Sequence, residues 1–364
     1  MRILIAHNVP QARTGGMSRI MGEIHDRIVA LGAQVEYFCS ENVPPQYRNP
    51  WQRFTYPYLV AQRARAGRFD IVNVHEPSAA FISLLKGKCK VTVTSHGVEQ
   101  RGWEVSLEDK KLHRGGPSAR TQILYPLTSL WQSRLALTQA DHVFCLNHQD
   151  RAFLTQRFKI SGNKITRIYP AASPVYSEMA AARDYTRFRR ILFAGTWLAR
   201  KGNQDAIAAF ATLPDHLEFV TLGAGADPAH IRACFPEAVR HRVTAISARS
   251  DREAAEAMAN ADAFLLPSVF EGTPLTLMEA MYSGLPIVTT ATAGMVDVIA
   301  HNETGFLVPT RSPEAIAQAL TTLAQNPDLR RKLGTNAQRE ATTRYTWEHS
   351  AEPVWRVYQQ LLNL

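Results

Sequence analysis

The chain has few cysteines and no long apolar run. Cys39, Cys89, Cys145 and Cys234 are the only cysteines in 364 residues, and none lies at the spacing of a metal-binding cluster. We therefore predict core thiols in a reducing compartment rather than a disulfide framework. No stretch reaches the roughly 18 apolar residues that a membrane span needs, and no signal-peptide pattern precedes the first strand. These absences predict a soluble, cytoplasmic globular protein.

Several motifs of cofactor and nucleophile chemistry are missing as well. The sequence contains no G-x-G-x-x-G dinucleotide signature, no G-x-S-x-G nucleophile elbow, no H-E-x-x-H pair and no Asp-x-Asp pair. These absences disfavour a nicotinamide dehydrogenase, a serine nucleophile and metal chemistry. We therefore predict neither a cofactor nor a metal site.

Acidic residues are scarce in the first half of the chain. Residues 1–175 contain 23 Lys and Arg against 12 Asp and Glu, whereas residues 176–364 contain 18 against 20. This asymmetry indicates that the first half meets an anionic partner, with a basic solvated surface as the alternative. No nucleic-acid partner is predicted.

Strand and helix patterns alternate along the chain, which predicts parallel sheets with crossover helices. A stretch at 171–187 interrupts the alternation and is predicted as a linker. The sequence thus predicts an α/β fold of two Rossmann-like domains, 1–175 and 176–345, facing each other across a cleft. A final amphipathic helix is predicted at 346–364. Strands are predicted at 1–6, 34–38, 70–74, 90–94, 141–146, 164–169, 190–194, 217–221, 243–246, 263–266 and 287–290.

Two carboxylates flank a turn in the stretch SVFEGTPLTLMEAMYSGLPIV, residues 268–288. Glu271 lies in the loop after a predicted buried strand. Glu279 lies in the next helix, for which Thr273 is the predicted cap and Pro274 the first residue. Ligands of open α/β sheets bind beyond the strand carboxyl ends, where a helix amino terminus suits a phosphate. A rise of about 1.5 Å per residue separates the two carboxylates by about 10 Å, which suits two ends of one elongated, hydroxyl-rich ligand.

Glycine and basic residues follow the first strand of each half. Gly15 and Gly16 precede a helix, so their backbone amides can approach a phosphate, with a structural turn as the alternative. In the second half, Gly195 is followed by Arg200 and Lys201, which can neutralise a diphosphate. A solvent-facing basic pair is the alternative there.

His96 and Gly223 also follow predicted strands. His96 lies just past the strand at 90–94 and precedes Gly97, a favourable place for a functional histidine, although most lone histidines are structural. Gly223 repeats the strand–glycine pattern more weakly.

Together, these residues resemble the retaining glycosyltransferases of family 4, which have the two-Rossmann-domain architecture called GT-B. The resemblance covers essentially the full length and is strongest from residue 190 onward. Its most specific element is the E-x7-E pair formed by Glu271 and Glu279, which Pro267-Ser precedes. The resemblance implies a final helix that crosses back onto the first domain.

The resemblance also implies roles for the candidate residues. In the family, the second glutamate binds the nucleotide ribose, the first lies by the transferred sugar, and the histidine contacts the donor sugar. The implied donor-binding residues are Gly15, Gly16, Gly195, Thr196, Gly223, Gly272, Thr273, Pro274, Leu275 and Glu279. The implied catalytic residues are His96, Arg200, Lys201 and Glu271.

The chain departs from the family at Thr196. Family members usually carry an arginine directly after the glycine at this place, with a lysine five residues later. Lys201 keeps the lysine position, and we predict that Arg200 replaces the missing cation.

The resulting prediction is a metal-independent, retaining hexosyltransferase of polysaccharide biosynthesis. It moves a sugar from a nucleotide-diphosphate-sugar donor to a glycan, lipid-linked or other hydroxyl acceptor. One alternative is a nucleotide-sugar epimerase on the same scaffold, which would consume the donor without an acceptor. The other is a catalytically inactive nucleotide- or carbohydrate-binding protein, which the threonine at position 196 favours.

Basic clusters in the first half predict peripheral contact with an anionic inner leaflet. The stretch 100–136 interleaves aromatic and apolar residues with charges, as an interfacial segment does. Each Lys or Arg near such a leaflet contributes about 1 kcal/mol, so three or four together give reversible binding. A basic surface that serves a soluble acceptor is the alternative. The clusters are Arg63, Arg65 and Arg68; Lys86, Lys88 and Lys90; and Lys110, Lys111 and Arg114.

Overall fold

The computed structural model describes residues 1–12, 15–48, 52–82, 89–248 and 250–364. It divides into two compact units, one formed by Met1–Pro170 with Trp347–Leu364 and the other by Ala171–Thr346. Each unit contains a six-stranded parallel sheet with helices, so the predicted α/β fold of two Rossmann-like halves is confirmed.

The strands of each sheet are short and all parallel. In the first unit the spatial order is β2-β1-β3-β4-β5-β6, and in the second it is β12-β11-β10-β7-β8-β9. The strands are β1 Arg2–Ala6, β2 Gln34–Phe38, β3 Ile71–His75, β4 Lys90–Thr94, β5 His142–Cys145, β6 Ile165–Arg167, β7 Arg190–Ala194, β8 Glu218–Leu222, β9 Val243–Ile246, β10 Ala263–Leu266, β11 Ile287–Thr290 and β12 Phe306–Val308.

Helices connect the strands in both units. The α-helices of the described residues are α1 Gly16–Ala30, α2 Gln52–Gly67, α3 Glu99–Lys111, α4 Ala119–Tyr125, α5 Trp131–Gln139, α6 His148–Arg157, α7 Val175–Met179, α8 Asn203–Ala211, α9 Pro228–Ala233, α10 Asp251–Ala259, α11 Leu275–Tyr282, α12 Met295–Val298, α13 Pro313–Gln325, α14 Pro327–Arg344 and α15 Trp347–Leu362. A π-helical turn, Pro126–Leu130, joins α4 to α5. Throughout the described ranges, every helix is too short or too polar to cross a membrane.

The central strands are nearly continuous apolar runs because helices cover both faces of a parallel sheet. Residues 3–6 of β1 and 191–194 of β7 are buried, and so are residues 71–74 of β3 and 263–266 of β10 beside them. Since all strands of a sheet point the same way, their carboxyl ends form one edge, and the loops with the candidate residues collect there.

The stretch 171–187, predicted as a linker, packs as part of the second unit. The Arg183 guanidinium donates hydrogen bonds to the backbone carbonyls of Met258, Ala261 and Ser283, at 2.6–2.8 Å. The boundary between the two units lies at 170/171, at the start of this stretch, but a polar composition does not show that the half-buried Arg183 satisfies carbonyls of distant elements.

The four cysteines are free thiols, but they do not share one environment. Cys39 and Cys145 are buried, Cys89 is half-buried and Cys234 is exposed. The prediction of core thiols is therefore wrong for Cys234, which lies on the surface at the carboxyl end of the short helix α9.

The final helix α15 belongs to the first unit and is held there by a buried chain of hydrogen bonds. The His25 Nδ1–H donates to the Met21 carbonyl at 2.7 Å, which leaves Nε2 to accept from the Tyr358 hydroxyl at 2.9 Å. The Asn73 side-chain N–H donates to Tyr358 Oη at 2.7 Å, and the Asn73 side-chain oxygen accepts from the Thr94 hydroxyl at 2.9 Å. Each of these donor and acceptor atoms thus has a defined partner, and this series of hydrogen bonds joins α15 to α1, β3 and β4.

Tyr358→Phe is expected to lower the free energy of unfolding of the first unit by about 1–3 kcal/mol, because the buried Asn73 amide and His25 Nε2 lose their common partner. Urea unfolding at pH 7 measures the change. Tyr47→Phe, at an exposed tyrosine, is the control and should be neutral. Equal unfolding midpoints for the two variants would contradict the prediction.

Candidate active site

Two cations and one carboxylate converge at the carboxyl edge of the second sheet. Lys201 Nζ lies 2.7 Å from Glu271 Oε1, and an Arg200 guanidinium nitrogen lies 3.2 Å from the same oxygen. The Ser268 hydroxyl donates to this oxygen at 3.3 Å. The Lys201 side chain is 10% exposed and the Arg200 side chain 50% exposed. The structure therefore presents two positive charges, one enclosed and one open to solvent, around a single carboxylate.

A close backbone approach brings these residues together. Gly202 has a φ of +73°, and a Cβ at this position would lie 1.9 Å from the Pro267 carbonyl oxygen. The Val269 N–H also donates to the Arg200 carbonyl at 2.9 Å. The turn after β7 thus packs directly on the loop after β10, which carries Glu271. Sequence reasoning missed Gly202, although a glycine directly after a basic pair and before a helix was a usable signal.

Glycines keep the space beside the enclosed lysine open. Gly195 has a φ of +124°, and a Cβ there would lie 3.7 Å from Lys201 Cε and Nζ. Gly223 also has a positive φ, and no described heavy atom lies within 4 Å of its Cβ position. Thr196 is exposed, and its methyl group lies 3.7 Å from the Cβ position of Gly225. A small residue therefore stands where the family usually has an arginine.

Helix α11 begins at Leu275, with Pro274 as its cap in an extended conformation. The predicted start, with Thr273 as cap and Pro274 as first residue, is wrong by one position, because the Pro274 carbonyl already accepts the Leu277 N–H at 3.1 Å. Thr273 instead packs on Gly294, where a Cβ would lie 2.1 Å from the threonine hydroxyl. The first amides of a helix lack intrahelical acceptors, so this end favours an anion.

The remaining candidates of the second unit lie around the same helix. The Gly272 carbonyl accepts the Gly294 N–H at 2.8 Å, which fixes the loop between Glu271 and α11. Glu279 lies inside α11 with a buried side chain. The buried Thr276 hydroxyl has no hydrogen-bond partner among the described residues. Glu271 and Glu279 are therefore both enclosed carboxylates of one loop–helix segment.

In the first unit, His96 follows β4 and lies beside a second histidine. The rings of His75 and His96 are 5.3 Å apart between centroids. The His75 Nδ1–H donates to the Thr94 carbonyl at 3.3 Å, whereas both ring nitrogens of His96 lack a partner in the described part of the chain. Burial lowers the pKa of His75 to about 4 and holds the pKa of His96 well below its usual value. His96 is thus a neutral imidazole that can donate from one nitrogen and accept at the other.

A third histidine, His7, follows β1 at the same sheet edge. Its Nδ1–H donates to the Val9 carbonyl at 3.1 Å, and its Nε2 lies 3.6 Å from Cys39 Sγ. Burial lowers the pKa of His7 and raises the pKa of the Cys39 thiol to about 12, so both groups are neutral. In the ranges that the structure describes, no three His, Cys, Asp or Glu side chains are placed to hold a metal ion.

Gly15 is the cap of α1 and Gly16 is its first residue. Neither has the positive φ that would require glycine. Gly15 is extended at φ −109°, and its Cβ position meets only Ser18 Oγ, at 3.8 Å. No described heavy atom lies within 4 Å of the Cβ position of Gly16. Both positions therefore leave room for the close approach of a ligand.

Two family profiles match consecutive parts of the chain. The profile described as "Glycosyltransferase Family 4" matches residues 14–174, and the one described as "Glycosyl transferases group 1" matches residues 178–340. A phosphatidyl-myo-inositol mannosyltransferase of Mycobacterium leprae is 26% identical over 339 residues, which cover 89% of this chain and 84% of the relative.

Solved structures show the same architecture at low identity. Sucrose-phosphate synthase from Thermosynechococcus elongatus superposes with a TM-score of 0.80 at 20% identity, and covers 100% of this chain and 99% of that one. Anabaena HepE, in complex with UDP and glucose, superposes with a TM-score of 0.71 at 17% identity, over all of both chains. With its two sheets, its final helix and its matches from residue 14 to residue 340, the chain belongs to glycosyltransferase family 4 and has the GT-B fold.

Proposed function

We propose that this glycosyltransferase is a retaining hexosyltransferase that uses a nucleotide-diphosphate-sugar donor and a glycan or lipid-linked hydroxyl acceptor. The observation that carries the proposal is the convergence of Lys201 and Arg200 on Glu271 Oε1. These cations are held in place before a diphosphate arrives, so little reorganisation is needed when the leaving group becomes more negative.

The relatives support the donor and acceptor classes. HepE was solved with UDP and glucose, and the M. leprae relative is named as a mannosyltransferase of a phosphatidyl-inositol lipid. In the second unit, the open glycines and the amino terminus of α11 suit the phosphates of such a donor. In the first unit, Gly15 and Gly16 leave room for the approach of a phosphate. Glu279 is assigned to the ribose hydroxyls, and His96 and Glu271 to the sugar.

In the proposed step, the bond between the anomeric carbon and the diphosphate oxygen breaks, and its electron pair stays on that oxygen. The acceptor hydroxyl oxygen bonds to the anomeric carbon on the same face, and its proton passes to the leaving diphosphate. Lys201 and Arg200 stabilise the developing negative charge, so protein cations serve as the electrostatic catalyst.

Incubation with a panel of nucleotide sugars, with and without acceptors, tests the proposal. Thermal shift first identifies the donors that bind, because a ligand of the folded state raises its stability. NMR of the product then reports the anomeric configuration. Retained configuration in an acceptor product supports the proposal; donor conversion without acceptor indicates an epimerase, and binding without transfer or hydrolysis indicates an inactive binding protein.

We also propose that the enzyme reaches its acceptor by peripheral contact with an anionic membrane. The side chains of Leu112, Ile123, Leu124, Leu127 and Trp131 are exposed apolar groups of α4, α5 and the adjoining turns; we call them the 112–131 surface. Basic residues accompany this surface in the sequence, namely Lys110, Lys111, Arg114, Arg120 and Arg134. Apolar groups interleaved with cations are typical of interfacial segments. Lys86 and Lys88 lie outside the described residues.

The double variant Ile123→Asn/Leu127→Asn is expected to lose at least about tenfold in binding to anionic vesicles, because two side chains that bury apolar area become polar. Co-sedimentation with phosphatidylglycerol-containing vesicles measures binding. Leu31→Asn, at an exposed leucine of the first unit outside the 112–131 surface, is the matched control. High salt should release the wild-type chain. Failure of the wild type to bind either anionic or neutral vesicles would refute membrane contact and favour a soluble acceptor.

A further inference from the structure

Glu76 is an enclosed carboxyl group that the proposed transfer step does not use. It follows β3 directly, and its side chain has no exposed surface. Its Oε1 accepts hydrogen bonds from the Ser95 hydroxyl and from the Glu99 backbone N–H, both at 3.1 Å. Its Oε2 pairs with the Ser133 hydroxyl of α5 at 3.1 Å. One side chain thereby joins the ends of β3 and β4 to the start of α3 and to α5.

The two groups on Oε1 lie on either side of His96 in the sequence. Ser95 directly precedes His96, and Glu99 is the first residue of α3. Between them lies Gly97, with a φ of +127°. Because glycine is conformationally permissive, it gives the turn little stiffness of its own. The ring nitrogens of His96 have no partner among the described residues. The orientation of His96 therefore depends on how the turn Ser95–Glu99 is held. Glu76 Oε1 accepts hydrogen bonds from both ends of this turn.

The carboxyl group can make these contacts in its neutral form. Burial, assisted by the nearby Glu99 charge, raises the pKa of Glu76 to about 8, so the group carries its proton at neutral pH. A proton on Oε2 can be donated to Ser133, while Oε1 still accepts from Ser95 and Glu99. Glutamine has the same shape, with an oxygen for Oε1 and an N–H for the Ser133 side.

We propose that Glu76 is a positioning residue, which fixes the turn Ser95–Glu99 so that His96 meets the donor sugar in a productive orientation. The proposal rests on the function proposed above, since it assigns the sugar to His96. It distinguishes Glu76 from a merely structural acid, because two of the three hydrogen bonds that it makes hold the one turn that carries His96.

The test compares Glu76→Ala with Glu76→Gln and with Ser133→Ala. We expect Glu76→Ala to lower kcat for sugar transfer by about 10²-fold, the cost of a small misplacement of a reacting group. Glu76→Gln should keep kcat near the wild-type value, because the glutamine oxygen can accept both hydrogen bonds from the turn. Ser133→Ala should also keep kcat, since it removes only the bond to α5. Binding of the free nucleoside diphosphate should be equal in all variants, because that ligand lacks the sugar.

Hydrogen exchange of the peptide 95–101 provides a readout that does not require activity. It should speed up in Glu76→Ala and stay slow in Glu76→Gln and Ser133→Ala. Wild-type kcat in a folded Glu76→Ala enzyme, or an equal loss in the Ala and Gln variants, would overturn the proposal. If Glu76→Ala does not fold, Ser95→Ala removes one of the two bonds to the turn, and wild-type values of kcat and exchange in that variant would overturn it.

The exchange readout also separates this proposal from the proposed function. A wild-type chain that transfers no sugar refutes the function. In that case, unchanged exchange in Glu76→Ala refutes the hold on the turn as well, whereas faster exchange shows that Glu76 holds the turn although His96 does not serve sugar transfer.

Discussion

Lys201→Ala should slow sugar transfer by about 10²–10³-fold, the usual cost of removing one preorganised group that stabilises a developing negative charge. The effect should be large because the ammonium is enclosed, 2.7 Å from Glu271, where water screens it little. Initial rates over a range of donor concentrations separate kcat from KM. Since the leaving-group charge grows in the transition state, the loss should fall mainly on kcat.

Arg200→Ala should cost less, about tenfold to a hundredfold, because a half-exposed guanidinium is partly screened. If Arg200 replaces the arginine that the family has at position 196, then Thr196→Arg should restore part of the rate to the Arg200→Ala enzyme. Arg189→Ala is the matched control, since Arg189 is also exposed and ion-paired, to Glu218, at the opposite end of β7.

Two results would contradict this account of the cations. Full activity of Arg200→Ala would leave Lys201 as the only essential cation of the pair. Full activity of Lys201→Ala would refute the proposed role of Lys201 in stabilising the leaving-group charge.

The elements of the fold could be predicted because their signals are local. The strands at 243–246, 263–266 and 287–290 match the structure residue for residue, since each is a short apolar or β-branched run. Strand β12, Phe306–Val308, was missed because three residues give too short a pattern. The packing of the stretch 171–187 could not be predicted for a different reason, since its anchoring by Arg183 involves residues 75 to 100 positions away in the sequence.

The site could be predicted in part, and the limit is again the range of the contacts. The rule that favoured His96, a polar side chain at a strand carboxyl end, applies equally to His7 and Glu76, so both could have been found. No local pattern shows that Glu76 meets Ser133, because that contact depends on the order of β3, β4 and β5 in the sheet. Likewise, the approach of Gly202 to Pro267 exists only because β7 and β10 are neighbours.

Glu279→Ala is expected to weaken binding of the free nucleoside diphosphate by about 10- to 100-fold, the loss of one or two hydrogen bonds to a charged group. The buried carboxylate lies within α11, and the proposed function assigns it to the ribose hydroxyls. Isothermal titration calorimetry with the free nucleoside diphosphate measures this effect. Glu279→Gln, which keeps the shape and one acceptor, should lose less.

Glu271→Gln should show the opposite behaviour, with kcat reduced by about 10²-fold or more and binding of the free diphosphate unchanged or tighter. In the wild type, this carboxylate offsets one of the two positive charges of Lys201 and Arg200. The amide removes that negative charge, so an anionic ligand gains attraction to both cations. The same change removes the negative charge that would face the positive charge developing on the sugar, and turnover therefore falls although the donor binds well. Calorimetry and steady-state rates on the same preparation separate the two effects. Wild-type turnover in Glu271→Gln would show that Glu271 only holds the cations and does not act on the sugar.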